Sequence, residues 1–82
     1  MSRLVDQPVV VQPGDGPFGA PRRFRWQGQR YEIRELLDVW TDTGAWWDGE
    51  REAVFFRVVT AGGTVFELMR GDGGWRLYRI YD

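Results

Sequence analysis

The sequence predicts an all-β protein, a small antiparallel meander that forms a twisted roll or a partly open barrel. Two observations lead to this fold class. Three stretches alternate apolar and polar residues with a period of two, and glycine-containing turns separate them. With 82 residues, of which 43% are apolar, the chain has the length of SH3-like and OB-like barrels, and the pattern does not separate these two topologies.

The first predicted hairpin is RRFRWQGQRYEIR, residues 22–34. Its predicted turn is Gly28-Gln29, in which Gly28 takes the positive φ of a type II′ turn. A turn one residue earlier would set Arg25 opposite Arg30, and opposed like charges are unfavourable. The predicted register gives these cross-strand pairs: Trp26 with Tyr31, Phe24 with Ile33, Arg25 with Glu32, and Gln27 with Arg30.

The second predicted hairpin is AVFFRVVTAGGTVFELMR, residues 53–70. A three-residue loop, Ala61-Gly62-Gly63, with Gly63 in the left-handed conformation keeps like faces together and opposes charges of opposite sign. The predicted pairs are Phe56 with Leu68, Val58 with Phe66, Arg57 with Glu67, and Val59 with Val65.

A third turn, DGG at residues 72–74, is predicted to continue the meander. Arg79 then joins Glu67 and Arg57 in a cross-strand row of charges. The predicted pairs are Leu68 with Tyr78 and Phe66 with Ile80. The residues that flank the charge row make the second face of the sheet rather apolar, so either another part of the same chain covers this face or a protein partner does. The residues of this predicted partner surface are Phe55, Val59, Val65, Met69, Leu77 and Tyr81.

The remaining segments are less regular. YEIRELLDVW, residues 31–40, fits either one helical turn or a strand with a bulge near Glu35, and we favour the bulged strand. DQPVVVQP predicts a short edge strand bounded by prolines. PGDGPFGAP, residues 13–21, is too rich in Gly and Pro for regular structure. The predicted organisation is an N-terminal edge strand and connector, residues 1–21, followed by a single small β domain, residues 22–82.

The composition argues against catalysis. The chain contains no histidine and no cysteine, which removes imidazole and thiolate chemistry. Residues 38–52 include five acids, but their spacing does not match an EF-hand loop. GDGG at residues 71–74 leads into a strand, whereas phosphate-binding loops open a helix. We therefore expect no enzyme activity, no cofactor and no metal site.

All eleven basic residues are arginine, a composition that a GC-rich genome also produces. Within residues 22–34 the predicted register places arginines on one face and aromatic residues on the other. Guanidinium groups suit phosphate contacts, so the arginine face is a candidate for single-stranded nucleic acid. The net charge of −1 argues against a dedicated nucleic-acid binder. The candidate contacts are Arg23, Arg25, Arg30 and Arg34.

The stretch GAWWDGE, residues 44–50, places Trp46 beside Trp47. Adjacent side chains of an extended segment point to opposite sides. We expect one ring to cover an end of the barrel, while the other is available to anchor a protein partner. The surrounding acids would attract a basic partner.

The sequence carries no apolar run of the length of a membrane helix, and its N-terminus lacks the apolar segment of a secretory signal. The absence of cysteine is typical of a reducing compartment. These observations predict a cytoplasmic protein.

Four segments resemble a small uncharacterised family of bacterial proteins over about residues 22–82: FRWQGQRYEIRELLDVW, AWWDGE, VFFRVVTAGGTVFELMR and GGWRLYRIYD. Members of that family carry an FRW-G-R-Y segment, a central W or WW, an FRV strand and a closing GGWRLYRVYD-like strand. They are often encoded near the error-prone replicative polymerase and the inactive Y-family polymerase-like protein of translesion synthesis. The resemblance implies an accessory factor in DNA-damage tolerance and supplies no catalytic residues.

Together these observations predict a non-catalytic protein-interaction adaptor, with translesion polymerase components as the partners that the resemblance implies. One alternative is a β-barrel that binds single-stranded nucleic acid weakly, and another is a self-associating structural module that forms a homo-oligomer. Binding to nucleic acid would weaken steeply with added salt, whereas an apolar protein interface would not.

Overall fold

In this computed structural model, the described residues of the protein form one sheet of seven antiparallel strands. The strands are β1 (Ser2–Pro8), β2 (Val10–Pro13), β3 (Pro21–Trp26), β4 (Gln29–Asp42), β5 (Ala53–Thr60), β6 (Val65–Gly71) and β7 (Gly74–Tyr81). The structure describes residues 2–14, 19–42, 53–71 and 73–81. The order of strands across the sheet is β1-β7-β6-β5-β4-β3-β2, so each strand from β2 to β7 pairs with the next.

The sheet curls because the chain passes from one of its edges to the other within a single residue. β1 lies against β7 and β2 lies against β3, yet Val9 alone separates β1 from β2. Val9 N donates a hydrogen bond to Trp75 O at 3.3 Å, and Trp26 Nε1 donates to Gln7 Oε1 at 3.0 Å. These contacts confirm the predicted all-β meander in the form of a twisted, partly open barrel.

The N-terminal strands differ from the prediction in one respect. The sequence predicted one edge strand before the connector, whereas the structure has two, one at each edge of the sheet. The pairing of successive strands is also a meander rather than the Greek-key order of an OB-fold. Residues 2–13 therefore belong to the same sheet as the rest of the described chain.

The β5–β6 hairpin has the predicted register. Arg57 lies opposite Glu67, and the two flanking pairs also match. The turn is closed by a hydrogen bond from Thr60 N to Thr64 O at 3.0 Å. Gly63 has a φ of 91°, a left-handed conformation that glycine adopts without a steric penalty. The predicted three-residue loop is confirmed.

The β3–β4 hairpin departs from the prediction, because the turn is Gln27-Gly28 and not Gly28-Gln29. Gln27 has a φ of 53° and Gly28 a φ of 75°, the two positive values of a type I′ turn, whose twist matches that of the strands. The observed pairs are Arg23 with Glu32, Phe24 with Tyr31, Arg25 with Arg30, and Trp26 with Gln29. The rings of Phe24 and Tyr31 stack at 5.0 Å, and this contact offsets the cost of opposing two arginines.

The β6–β7 hairpin is one residue tighter than predicted at its turn. Pairing continues to Gly71 and Gly74, which leaves two residues in the connection rather than three. A bulge between Glu67 and Leu68 then restores the predicted register towards the far end of the strands, where Phe66 pairs with Ile80. Leu68 faces Leu77 and not Tyr78, so the predicted position of Leu77 on the outer face is wrong.

Strand β4 is long and carries two bulges. The register shifts between Ile33 and Glu35, which confirms the bulge predicted near Glu35. It shifts again between Leu36 and Asp38, where the sequence predicted none. Each bulge adds one unpaired residue and increases the local twist, which bends β4 around the barrel.

The interior is filled by large apolar side chains from β3, β5, β6 and β7. The buried cluster consists of Phe24, Phe56, Val58, Phe66, Leu68, Leu77 and Ile80. The ring of Phe66 meets the rings of Phe24 and Tyr31 edge-on, each at 5.1 Å. Burying one such side chain contributes about 1.5 to 3 kcal/mol, so this cluster stabilises the packing of these four strands around one interior.

A smaller apolar cluster lies on the outer face of the sheet. Ala53, Phe55 and Met69 are buried there, and Trp40 and Tyr78 pack against them. The rings of Trp40 and Phe55 stack at 5.4 Å with an angle of 5° between their planes. This part of the outer face is therefore covered by side chains of the same chain. Over the described ranges, no helix has the length and apolar character needed to cross a membrane.

Candidate functional site

The outer face of β2, β3 and β4 carries the arginines that the sequence singled out. Two cross-strand rows run over these strands: Val10, Arg25 and Arg30 form the first, and Gln12, Arg23 and Glu32 form the second. We call Val10, Gln12, Arg23, Arg25 and Arg30 the arginine surface. The observed hairpin register thus brings Arg23, Arg25 and Arg30 onto one face, as the alternation of the sequence predicted.

The arginines of this surface differ in their charge partners. Arg23 Nε lies 3.2 Å from Glu32 Oε2, an ion pair on the partly exposed second row. Arg25 and Arg30 are both exposed, and within the described residues neither has a carboxylate at ion-pair distance. Two opposed guanidinium groups repel each other, so the first row costs stability as it stands. An anion placed between Arg25 and Arg30 would relieve that repulsion.

A shallow cavity of about 200 Å³ lies on the arginine surface. Its lining includes Val10, Gln12 and all three arginines of the surface. Val10 is 72% exposed, so a hydrocarbon side chain stands beside two unpaired positive charges. The arrangement can hold an anionic group by hydrogen bonds and ion pairs, with a small apolar contact at its edge.

The other residues of the first hairpin are placed apart from this surface. Phe24 is buried, although it contributes to the lining of the cavity, and Trp26 and Tyr31 pack against the interior cluster. Among the described residues of this hairpin, the arginine surface therefore carries no exposed ring. Arg34 is exposed but is the unpaired residue of the first β4 bulge, so it belongs to neither row. Three of the four predicted nucleic-acid contacts come together, and Arg34 stands outside them.

The outer face of β5, β6 and β7 carries a second set of charges, which we call the Glu67 network: Arg57, Glu67, Arg79 and Tyr81. Glu67 is 4% exposed and accepts a hydrogen bond from Arg57 Nη2 at 3.1 Å and another from the Tyr81 hydroxyl. Arg79 Nε lies 3.8 Å from the second carboxylate oxygen. The predicted charge row is confirmed, and its central carboxylate is fully partnered.

Aromatic rings complete the Glu67 network. The guanidinium of Arg57 lies over the rings of Trp40 and Tyr81, at 5.1 and 5.4 Å from their centres. The hydrogen bond to Glu67 raises the pKa of Tyr81 above its ordinary value, and burial adds to that increase. The hydrogen bond to Glu67 also raises the pKa of Arg57, although burial opposes it. These contacts fix the side chains, which is the pattern expected of a structural network.

Most residues of the predicted partner surface are covered by the chain itself. Phe55, Val59 and Met69 are buried on the outer face. Leu77 is fully buried in the interior cluster, because the β6–β7 bulge turns it inward. Val65 and Tyr81 are partly exposed, Tyr81 as a member of the Glu67 network. Trp46 and Trp47, the other predicted anchors, lie outside the described residues.

Three apolar side chains that the sequence analysis did not single out are exposed. They are Leu4, Val10 and Leu37. Leu37 is 47% exposed because it is the extra residue of the second β4 bulge, which turns it out of the sheet. The run of Leu36 and Leu37 was the available signal, since consecutive apolar residues in a strand cannot both face the interior.

The described residues hold no group of three or more carboxylates placed to bind a metal ion. The acids that the sequence concentrates in residues 38–52 fall largely outside the described part of the chain.

Comparison with known proteins identifies a family but no activity. A family model described as "Domain of unknown function (DUF6504)" matches residues 1–82. The chain belongs to this family. The match includes the two N-terminal strands, which the resemblance noted above did not cover. No curated protein and no solved structure matches the chain.

Proposed function

We propose that this protein is a non-catalytic binding module that holds single-stranded nucleic acid on the arginine surface. The observation that supports the proposal is the opposed, exposed pair Arg25 and Arg30, which has no carboxylate partner in the described chain. Such a pair lowers stability in the free protein and gains energy when an anion binds between its members.

The net charge of −1 does not oppose this proposal, because charges of opposite sign are separated along the chain. Residues 22–34 hold five arginines and one acid, whereas residues 38–52 hold five acids and one arginine. Phosphates respond to the local potential within about 10 Å at ordinary salt, so a local basic surface is sufficient for weak binding.

The expected binding is weak and tolerant of sequence. Guanidinium groups contact phosphate oxygens in pairs of hydrogen bonds, and phosphates carry no sequence information. A surface with two or three such contacts gives a modest salt dependence compared with dedicated binders, which make many more.

The test is fluorescence anisotropy of a labelled single-stranded oligonucleotide at low salt. Replacing both members of the pair, Arg25→Ala with Arg30→Ala, should weaken binding by about tenfold or more, because each contact is a hydrogen bond to a charged group. Arg79→Ala is the matched control, since it removes one arginine from the opposite part of the sheet. A loss of binding free energy in Arg79→Ala that is half or more of the loss in the double variant would mean that binding follows total charge, and the proposal would fail.

A second proposal is a protein-interaction adaptor in the cytoplasm, and its context is the bacterial DNA-damage tolerance that the family resemblance implies. The observation that favours it is Leu37, a leucine turned outward by a bulge and flanked by exposed acids. An exposed apolar side chain among acids suits a basic protein partner, with translesion polymerase components as the candidates.

The adaptor proposal is tested by affinity capture from a damage-induced lysate with and without nuclease. Polymerase components retained after nuclease treatment, and lost in Leu37→Ser, would support it. Capture that disappears with nuclease would assign the contact to nucleic acid and reject the adaptor role.

A further inference from the structure

A second cavity, of about 320 Å³, lies between the edge strand β1 and the end of β3, and we call it the seam cavity. It is larger than the cavity on the arginine surface and lies where β1 approaches the β3–β4 turn. Its lining residues are Arg3, Leu4, Val5, Gln7, Trp26 and Gln27. Small-molecule sites begin at about 300 Å³, so the seam cavity has room for one small ring system.

The indole of Trp26 forms a fixed wall of the seam cavity. Its ring packs against the interior cluster, and its Nε1 donates to Gln7 Oε1 at 3.0 Å. A ring held on one side by the core and at its edge by a hydrogen bond loses little freedom when a second ring stacks on it. The Gln7 amide keeps its NH₂ group without a partner among the described residues.

The described chain has two non-glycine residues with positive φ: one lines this cavity, and the other is adjacent in sequence to a lining residue. Gln27 lines it with a φ of 53°, and Asp6, which precedes Gln7, has a φ of 51°. Left-handed conformations cost a residue with a Cβ atom about 1 to 2 kcal/mol, and strain of this kind clusters at binding sites. Gln27 occupies the first central position of a type I′ turn, where Asn or Gly is the usual residue.

The strained conformation of Asp6 is held by Arg76. Arg76 Nε donates to Asp6 Oδ1 at 2.7 Å, and Arg76 Nη2 donates to Asp6 O at 2.7 Å. The β1–β7 register shifts between Leu4 and Gln7, so Asp6 sits within this irregularity. The two hydrogen bonds from Arg76 to Asp6 and the bulge interrupt the regular β1 ladder and place the side chain of Gln7 against Trp26.

We propose that the seam cavity binds a nucleobase, either of a free nucleotide or of a single strand. The indole face offers a stacking surface, and stacking on an aromatic side chain suits any base. The amides of Gln7 and Gln27 carry the donors and acceptors that a base edge requires. Arg3 is exposed at the same cavity and can take the attached phosphate, which favours a nucleotide over a neutral sugar.

For the single-strand source, this inference rests on the function proposed above and names its base-contacting site. For the free-nucleotide source it stands alone, because the arginine surface takes no part. The two claims are therefore tested by different probes and can fail separately.

The experiment follows the indole N–H signals of the full chain by NMR while adenosine monophosphate is added. The Trp26 signal, assigned by its loss in Trp26→Phe, should shift in a saturable way. The Trp40 signal should stay in place, because that ring lies on the outer face against Phe55. Ribose 5-phosphate, which lacks the base, should leave both signals unchanged.

A variant that preserves the fold sharpens the test. Gln27→Gly keeps a turn sequence that type I′ turns favour and removes the amide from the cavity. It should weaken nucleotide binding roughly three- to tenfold, the effect of losing one neutral hydrogen bond, without lowering the melting temperature. A merely structural role for Gln27 would leave binding unchanged.

A second NMR titration uses a short single-stranded oligo-dA in place of the nucleotide. A Trp26 shift with both probes identifies a general nucleobase site, and a shift with the oligonucleotide alone assigns the site to a strand. The double variant Arg25→Ala with Arg30→Ala separates the two proposals. Its Trp26 signal should still shift with the nucleotide, whereas its affinity for the oligonucleotide should be lost. An equal response to ribose 5-phosphate, or no response to either probe, overturns the inference.

Discussion

Two rows of arginines cross this sheet, and they differ in one respect. In the Glu67 network, Arg57 and Arg79 share a buried carboxylate, and Arg57 also lies against two aromatic rings. On the arginine surface, Arg25 and Arg30 face each other in the open with no carboxylate at hand in the described chain. The same residue type thus has a carboxylate partner in one row and none in the other.

The difference in carboxylate partners indicates that one row of arginines stabilises the fold and the other is available to bind a ligand. An arginine that pairs with a buried carboxylate neutralises that charge inside the protein, so its removal should lower stability and leave ligand affinity unchanged. An unpartnered pair lowers the stability of the free protein and keeps its hydrogen-bonding capacity for an anion from outside. Three changes test that division and a fourth tests the strain at the seam cavity, and they are given from the largest expected effect to the smallest.

Glu67→Gln should have the largest effect, because it removes the charge that both arginines of the network share. The free energy of unfolding should fall by about 2 kcal/mol, measured by urea denaturation. Glu32→Gln is the matched control, since the Glu32 side chain is 58% exposed in its ion pair. That variant should change stability by less than about 0.5 kcal/mol, and equal losses would contradict the division.

Tyr81→Phe should cost about 1 kcal/mol, because Glu67 loses one hydrogen-bond donor. The variant should also change the response to alkaline pH. The pKa of Tyr81 is raised by the bond to Glu67, so its contribution to stability is complete below the ordinary tyrosine pKa of 10.0 and is lost as the pH rises through the raised value.

The alkaline prediction is checked by denaturation between about pH 9 and pH 11. The wild-type protein should lose more stability over that window than Tyr81→Phe. The two proteins are identical at every other position, so the comparison isolates the effect of the Tyr81 hydroxyl. Parallel curves would mean that Tyr81 does not act through Glu67.

Gln27→Asn should raise the free energy of unfolding by about 0.5 to 1 kcal/mol, since Asn-Gly suits a type I′ turn far better than Gln-Gly. Thermal unfolding measures the gain. A loss of stability would show that the left-handed conformation of Gln27 carries little strain, and backbone strain would then no longer support a binding site at the seam cavity.

Arg25→Glu should have the smallest effect on stability and a clear effect on binding. It replaces a repulsive cross-strand pair with an attractive one, so the free energy of unfolding should rise by about 0.5 kcal/mol or less. Oligonucleotide affinity should fall beyond detection, because a carboxylate then occupies the place of a phosphate contact. Retained affinity would place the contact elsewhere.

The sequence predicted the overall architecture more completely than the register of each hairpin. Alternation and glycine turns predicted the meander, and opposite charges fixed the register of Arg57 against Glu67 correctly. The same charge rule failed at Arg25 and Arg30, where the turn geometry of Gln27-Gly28 and an aromatic stack outweighed it. A rule worth a few tenths of a kcal/mol decides a register only when nothing stronger competes.

The candidate sites were harder to read, because they depend on bulges and on closure. A single bulge in β7 moves Leu77 from the outer face to the interior. The seam cavity joins Gln7 to Trp26, which are 19 residues apart and meet only because the sheet curls. No alternation pattern within one strand encodes either event.

The salt dependence of oligonucleotide affinity tests the central claim most directly. We would measure it for the wild-type protein, for Arg25→Ala with Arg30→Ala, and for Arg79→Ala. Loss of two phosphate contacts should make the slope of log K against log salt concentration shallower by about 1.4, while the control keeps the wild-type slope. An unchanged slope in the double variant would contradict the assignment of the arginine surface as the nucleic-acid site.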